Sequence, residues 1–381
     1  MQGESAETPL IRSYMPELDS ARGIAVLSVV FYHGFARPLH ADVSSIANSI
    51  FVLSQYGWAG VNLFFVLSGF LITGILLDSK SRPDYFRRFY MRRAVRILPA
   101  LYLMLLTLLI GGLASVRFTV ISAVFLANFA GLMGVGLGYA ILWSLAIEEH
   151  FYMLWPLIVR TVSTKALTYL AAIICIGSPL LRLFLLQNPV PDHFAALYTW
   201  FNLDGLSLGA LLAIWLRNPS FRRHQLARSA PLVMVASGIA FIFLVRHPVE
   251  DATVAKTACN LCFAGFLSCL LLVGTSKWSI LVDRPVLKFF GFISYGLYLV
   301  HIFAFYLIDR LLTPQLANLI ASGRPMLATL LRFCAGLALA TAIAYLSRTS
   351  IEAIFLRIGH GPNTKSSVLL PETVSAIQID S

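Results

Sequence analysis

The chain has 381 residues, of which 58% are hydrophobic and 12% are charged, and its mean hydropathy is +0.78. Soluble globular proteins carry about 25% charged residues, so this composition excludes a soluble fold and predicts a polytopic membrane protein. The net charge of +11 is scattered over short loops, which argues against nucleic acid as a partner and suits anionic lipid headgroups or a phosphorylated ligand.

Apolar stretches predict an all-α fold with about ten transmembrane helices and one short re-entrant helix. A span needs roughly 20 residues, and the segment 118–132 is too short, so we expect it to enter and leave on one side. The predicted spans are 18–37, 57–78, 97–116, 140–160, 166–187, 194–216, 230–246, 253–274, 289–309 and 325–347.

The charge of the loops predicts the orientation. Three basic loops, 79–96, 217–228 and 275–288, are expected to face the cytoplasm by the positive-inside rule, which places both termini inside. The chain then divides into three parts. These are a cytoplasmic tail over 1–17, a transmembrane domain over 18–347 and a largely disordered cytoplasmic tail over 348–381. Because the first tail is polar and acidic, we expect the first span to remain as an anchor rather than be cleaved.

The first span contains two ionisable residues, Arg22 and His33. Eleven residues are about three helical turns, so both side chains leave one face of the helix, about 16 Å apart along its axis. Ionisable groups at membrane depth are candidates for function. Taken singly, Arg22 can instead extend to the lipid headgroups, and His33 can be a core residue whose hydrogen bonds are made within the protein. Their shared face favours a site with a fixed cation near one surface and an imidazole deeper in.

The second span, 57–78, is rich in small residues such as Gly69 and Gly74, which favour close helix packing. Asn62 is its polar exception and is expected to bond either a neighbouring helix or a substrate. The next segment begins as a cationic amphipathic stretch and is expected to become a span at Pro99.

Arg93 and Arg96 lie three residues apart in that cationic stretch, and therefore on one helical face. Arginine suits bidentate contacts with phosphate, so the pair predicts a clamp for a cytosolic phosphorylated ligand. The alternative is a basic cluster at the membrane surface that only fixes topology and touches lipid headgroups.

The stretch 142–157 places Ser144, Glu148 and Tyr152 on one helical face. A carboxylate at this depth must be paired or neutral, and Arg22 is its expected partner. Glu149 points about 100° away and is expected to lie on a different surface.

Two later spans carry weaker signals. Asp204 lies in a span at a depth that Arg182 can reach, and a buried ion pair explains it as well as a substrate site does. Tyr298 and His301 share a helical spacing that is more typical of residues hydrogen-bonded at an interface between helices than of catalytic residues. The five cysteines all lie in apolar stretches without accompanying ligands, so neither a metal nor a redox site is predicted.

Taken together, these stretches resemble membrane-bound acyltransferase family 3, whose members O-acylate surface polysaccharides and related glycans. The residues that carry the resemblance are Arg22 and His33 in LDSARG…FYHGF, GVNLFFVLSGFLIT, Arg93 and Arg96 in RRAVRILP, Ser144–Tyr152, FNLDGLSLGALLA and ISYGLYLVH.

The resemblance implies an enzyme of the cytoplasmic (inner) membrane that moves an acyl group, acetyl above all, from acyl-CoA to a hydroxyl of an extracytoplasmic glycan or lipid-linked saccharide. It implies that His33 is catalytic, as base or as acyl carrier, and that the arginine motifs bind the donor. Glu148 is expected to orient Arg22 or His33, and the oxyanion donor is sought among Tyr32, Asn62 and Tyr152. The alternatives are another donor such as succinyl-CoA, or a transporter or flippase that uses the same charges.

Overall fold

The computed structural model of the protein describes residues 15–35, 45–188, 194–245, 252–272 and 284–355, together with Val190, Asp192 and Val282. Throughout these residues the regular structure is helical and contains no β-strand, so the predicted all-α fold is confirmed. Most of the two predicted tails lies outside the described residues. Helical structure nevertheless continues to Phe355, past the expected end of the membrane domain at residue 347.

Thirteen α-helices lie in the described part of the chain. They are α1 (Pro16–Phe35), α2 (Ser45–Ser54), α3 (Ala59–Asp78), α4 (Tyr85–Ile110), α5 (Val116–Ala123), α6 (Leu142–Thr161), α7 (Thr164–Gln187), α8 (Leu203–Arg217), α9 (Arg223–Val245), α10 (Ala252–Leu272), α11 (Pro285–Phe292), α12 (Ser294–Ala321) and α13 (Pro325–Leu346). Capping residues and prolines mark where several of these helices begin. The Ser115 hydroxyl accepts a hydrogen bond from the Phe118 amide at the start of α5, and α11 and α13 begin at proline.

Within the described residues, seven helical segments are long and apolar enough to cross a membrane, so the predicted count of about ten is not confirmed. They are Asn48–Asp78, Tyr85–Ile110, Thr164–Gln187, Arg223–Val245, Val254–Leu272, Ser294–Ala321 and Pro325–Phe355. The other predicted spans correspond to α1, α6 and α8. Ionisable residues interrupt the apolar sequences of α1 and α6, and α8 has only 15 residues.

Two predicted boundaries are wrong for reasons visible in the backbone. Helix α4 is continuous from Tyr85 through Pro99 and stops at Ile110, before Gly111 and a left-handed Gly112 with φ of 66°. The predicted span 194–216 is helical in α form only from Leu203, because two 3₁₀ turns precede it. The segment 118–132 contains only the short α5 and a 3₁₀ turn, and its re-entrant position stays a prediction.

Helix α3 lies between α1 and α8 because glycines allow the backbones to meet. A Cβ added to Gly60 would lie 2.3 Å from the Ala25 carbonyl oxygen in α1, and one added to Gly69 would lie 1.8 Å from the Leu206 carbonyl oxygen in α8. Real Cβ atoms essentially never come this close to other atoms. The small residues of the second span therefore serve packing, and they hold α3 where its polar residues can reach the neighbouring helices.

Candidate active site

A cavity opens between α1, α3, α4, α6 and α12. It contains about 760 Å³ of space between the atoms, including space open to solvent. Its polar lining consists of Arg22, Ser68, Arg93, Arg96, Ser144, Glu148, Tyr152, Ser294, Tyr295 and Tyr298. Six of these residues were predicted as site residues from the sequence, and they come from three separate helices.

The lining is strongly cationic, with three arginines and one carboxylate. The Arg93 guanidinium lies over the Tyr152 ring, 4.6 Å from its centroid. In the part of the chain that the structure describes, neither Arg93 nor Arg96 has a carboxylate within 4.0 Å. Two guanidinium groups therefore keep their donors for an anion.

The expected ion pair between Arg22 and Glu148 is wrong. Arg22 pairs instead with Asp19, one helical turn back, with Nη1 3.1 Å from Oδ1, since residues three apart are neighbours on a helix. The Glu148 carboxylate accepts hydrogen bonds from the Ser68 hydroxyl at 2.8 Å and from the Tyr152 hydroxyl at 3.3 Å. Both residues still line the cavity, so they share the site without touching.

His33 lies beyond this lining and contacts a second histidine. Its Nδ1 is 3.1 Å from Nε2 of His301 and 3.0 Å from the Val29 carbonyl oxygen. His301 lies one turn along α12 from Tyr298, and their rings are 5.8 Å apart. The Tyr298 hydroxyl is 2.6 Å from the Ser144 hydroxyl in the cavity wall. Helix α12 therefore connects the cavity to the histidine pair.

Sequence reasoning missed the role of α12. The spacing of Tyr298 and His301 is typical of interface residues, and spacing within one helix gives no sign of which helix they face. The one available signal was their place in ISYGLYLVH, a stretch that shares the resemblance with the first span.

The remaining predicted site residues lie outside the cavity. The Tyr32 ring packs edge-on against His33, with centroids 4.9 Å apart. Asn62 donates to the Asn260 side chain at 2.7 Å and so joins α3 to α10. Asp204 accepts from both terminal nitrogens of Arg182, at 3.0 and 2.7 Å, in a buried ion pair. These bonds favour packing for Asn62 and Asp204.

Glu149 and His150 also lie away from the cavity lining. Glu149 is buried, and its Oε1 has no hydrogen-bond partner in the structure. His150 Nδ1 is 2.7 Å from the Thr199 hydroxyl, and its ring stacks on Phe129. The prediction that Glu149 points to a different surface from Glu148 agrees with this placement.

Comparison with known proteins gives a family and a reaction class. The model of a family described as an acyltransferase domain matches residues 15–349. A putative peptidoglycan O-acetyltransferase of Bacillus subtilis, YrhL, is 30% identical over 320 residues, covering 76% of this chain and 48% of YrhL. The peptidoglycan O-acetyltransferase OatA of Listeria monocytogenes is 34% identical over 164 residues, 38% of this chain and 24% of OatA.

A putative O-acetyltransferase of Staphylococcus aureus, SAS0844, is 30% identical over 320 residues, 76% of this chain and 50% of the relative. The chain thus spans about half the length of the curated relatives that match most of it. No solved structure matches the chain.

Proposed function

The chain belongs to acyltransferase family 3, and from that premise we propose that it transfers an acetyl group from cytoplasmic acetyl-CoA to a hydroxyl of an extracytoplasmic glycan or lipid-linked saccharide. The proposal depends above all on the cavity that collects Arg22, Arg93 and Arg96 from two helices. The O-acetyltransferase names of the relatives support acetyl as the acyl group and a cell-wall glycan as the class of acceptor.

The donor would be held by its charge. Coenzyme A has a phosphorylated head and a long, thin pantetheine arm that ends in sulfur. Guanidinium groups bind phosphate through strong, charge-assisted hydrogen bonds. No carboxylate of the described residues lies within 4.0 Å of Arg93 or Arg96 to compete for them. Arg22 would grip the donor deeper in the cavity. The rise of α1 from Arg22 to His33, about 16 Å, is comparable to the length of an extended pantetheine arm.

His33 would carry the chemistry at the far end of that arm. A neutral imidazole can take the proton of an acceptor hydroxyl as the oxygen attacks the acyl carbon. It can instead accept the acyl group first and then pass it on. Tyr32 is the predicted oxyanion donor that contacts His33. The other two candidate oxyanion donors already donate hydrogen bonds within the protein, Asn62 to Asn260 and Tyr152 to Glu148.

Glu148 would act through its neighbours. It accepts hydrogen bonds from Ser68 and Tyr152 and is the one carboxylate among the described lining residues, which limits repulsion among the arginines. The enzyme would lie in the cytoplasmic membrane with both termini inside. A transporter or flippase is no longer needed to explain the intramembrane charges, because family membership identifies an acyltransferase.

The test is acyl transfer by purified protein in lipid nanodiscs, with labelled acetyl-CoA or succinyl-CoA and soluble peptidoglycan fragments as acceptor. We expect acetyl to be transferred, and His33→Ala to lose activity by at least the roughly 10²- to 10⁴-fold typical of a general base. His150→Ala is the matched control, because it removes an imidazole that contacts Thr199 and Phe129 instead of the His33–His301 pair. Turnover retained in His33→Ala would remove His33 from the mechanism, and transfer of succinyl alone would change the donor.

A further inference from the structure

The hydrogen bonds of His301 determine its tautomer. Its Nδ1 lies 2.6 Å from the Tyr298 carbonyl oxygen and 3.2 Å from the Leu297 carbonyl oxygen. Carbonyl oxygens only accept hydrogen bonds, so Nδ1 must carry a hydrogen. His301 is completely buried, and no carboxylate pairs with it among the described residues. An unpaired charge there would be costly. The ring is therefore neutral, and its Nε2 has a free lone pair.

That lone pair in turn determines the tautomer of His33. The Nδ1 atom of His33 lies 3.1 Å from Nε2 of His301 and 3.0 Å from the Val29 carbonyl oxygen. Both neighbours are acceptors, so Nδ1 of His33 must be the donor and must carry a hydrogen. In a neutral imidazole the other nitrogen is then unprotonated. The nitrogen of His33 that can accept a proton or attack a carbonyl carbon is Nε2.

We infer that His301 is a positioning residue that holds His33 in this tautomer and ring orientation, so that Nε2 is the reacting nitrogen. The inference rests on the proposed function for the reaction itself. It applies whether His33 acts as base or as acyl carrier, because both need an unprotonated Nε2.

The proton balance gives the pair a further role. As the acceptor oxygen bonds to the acyl carbon, its proton moves to Nε2 of His33 and the thioester C–S bond breaks. The departing thiolate then takes that proton from Nε2. The Nδ1 hydrogen stays in place throughout, and while His33 is an imidazolium its bond to His301 is charge-assisted and therefore stronger. His301 thus stabilises the charge that exists only during the reaction.

The test compares two substitutions of His301 that differ in whether the new side chain can accept a hydrogen bond from His33. His301→Phe keeps a ring but has no acceptor, whereas His301→Gln offers a side-chain oxygen that can accept from His33. For His301→Phe we expect kcat to fall roughly 10- to 100-fold, the effect of losing one charge-assisted hydrogen bond, with KM for acetyl-CoA changed less than about twofold since no arginine is touched. His301→Gln should recover most of kcat. If packing alone mattered, Gln would do no better than Phe.

Both variants are checked for monodispersity and thermal unfolding in the same detergent, and His301→Leu provides a second acceptor-free variant if Phe does not fold. A wild-type kcat in the acceptor-free variant, or a glutamine variant that is no better than it, would overturn the inference. The two proposals can fail separately. Turnover in His33→Ala defeats both, whereas an inactive His33→Ala beside a fully active His301→Phe defeats only this one.

Discussion

Removal of the Arg96 side chain tests whether this residue binds the donor or only helps to orient the protein in the membrane. Arg96 lines the cavity, whereas Arg87 is exposed on the same helix and does not. Their separation of nine positions in the sequence places Arg87 about 14 Å along the axis from Arg96 and half a turn away. Arg96→Ala and Arg87→Ala therefore remove the same charge from one helix, and only the first removes it from the site.

The expected magnitudes differ by more than an assay's error. A hydrogen bond to a charged group is worth about 1.5–3 kcal/mol, and each 1.4 kcal/mol is tenfold in affinity. Loss of one guanidinium–phosphate contact should therefore raise KM for acetyl-CoA by roughly 10- to 150-fold. Two charges about 14 Å apart in water interact by only about 0.3 kcal/mol before salt screening. Arg87→Ala should therefore change KM by less than about twofold.

Initial rates are measured against acetyl-CoA at saturating acceptor, and then against acceptor at saturating acetyl-CoA, in nanodiscs of uncharged lipid. Uncharged lipid removes any contribution from headgroup binding to the basic stretch. Arg96→Ala should move the donor KM and leave the acceptor KM unchanged. Equal, small effects of the two substitutions would return Arg96 to a topological role and refute the donor cavity.

Two further predictions concern stability. Asp204→Asn leaves the buried Arg182 charge unpaired and should cost about 3–5 kcal/mol, lowering the thermal unfolding midpoint while kcat of the folded enzyme is unchanged. A fall in kcat at unchanged stability would instead return Asp204 to the substrate site. Gly69→Ala should separate α3 from α8, since its Cβ would meet the Leu206 carbonyl oxygen. A Cβ added at Gly177 would meet no described atom within 4 Å apart from the backbone of its own helix, so Gly177→Ala should stabilise α7 by about 0.5–1 kcal/mol. Equal midpoints for the two alanine variants would contradict the packing argument.

Site residues that share one helix could be predicted from the sequence. The spacing of Arg93 and Arg96 requires a common face, and the structure places both in one cavity wall. The same holds for Ser144, Glu148 and Tyr152 in α6. Helical periodicity is a local property, so the sequence alone is enough to group residues in this way.

Contacts between helices could not be predicted, because periodicity does not say which helix faces which. The expected partner of Arg22 was a carboxylate on α6, but the nearer carboxylate of Asp19 in its own helix occupies it. The contact between His33 and His301 joins residues 268 positions apart, and no spacing rule reaches that far. Helix ends were missed for a different reason: a glycine pair stops α4 before the apolar sequence ends.

Three other buried or half-buried arginines of this chain provide an internal comparison for the donor site. Each of them meets an aspartate through two hydrogen bonds, because a lone guanidinium inside a membrane protein is costly. Such pairs are Arg182 with Asp204, Arg217 with Asp78 and Arg332 with Asp309. In the described residues Arg93 and Arg96 have no such partner, although the same chain supplies one elsewhere. A site whose ligand brings the negative charge needs cations that are not already paired with carboxylates. Arg93 and Arg96, two partly buried cations that face the cavity, meet this requirement among the described residues.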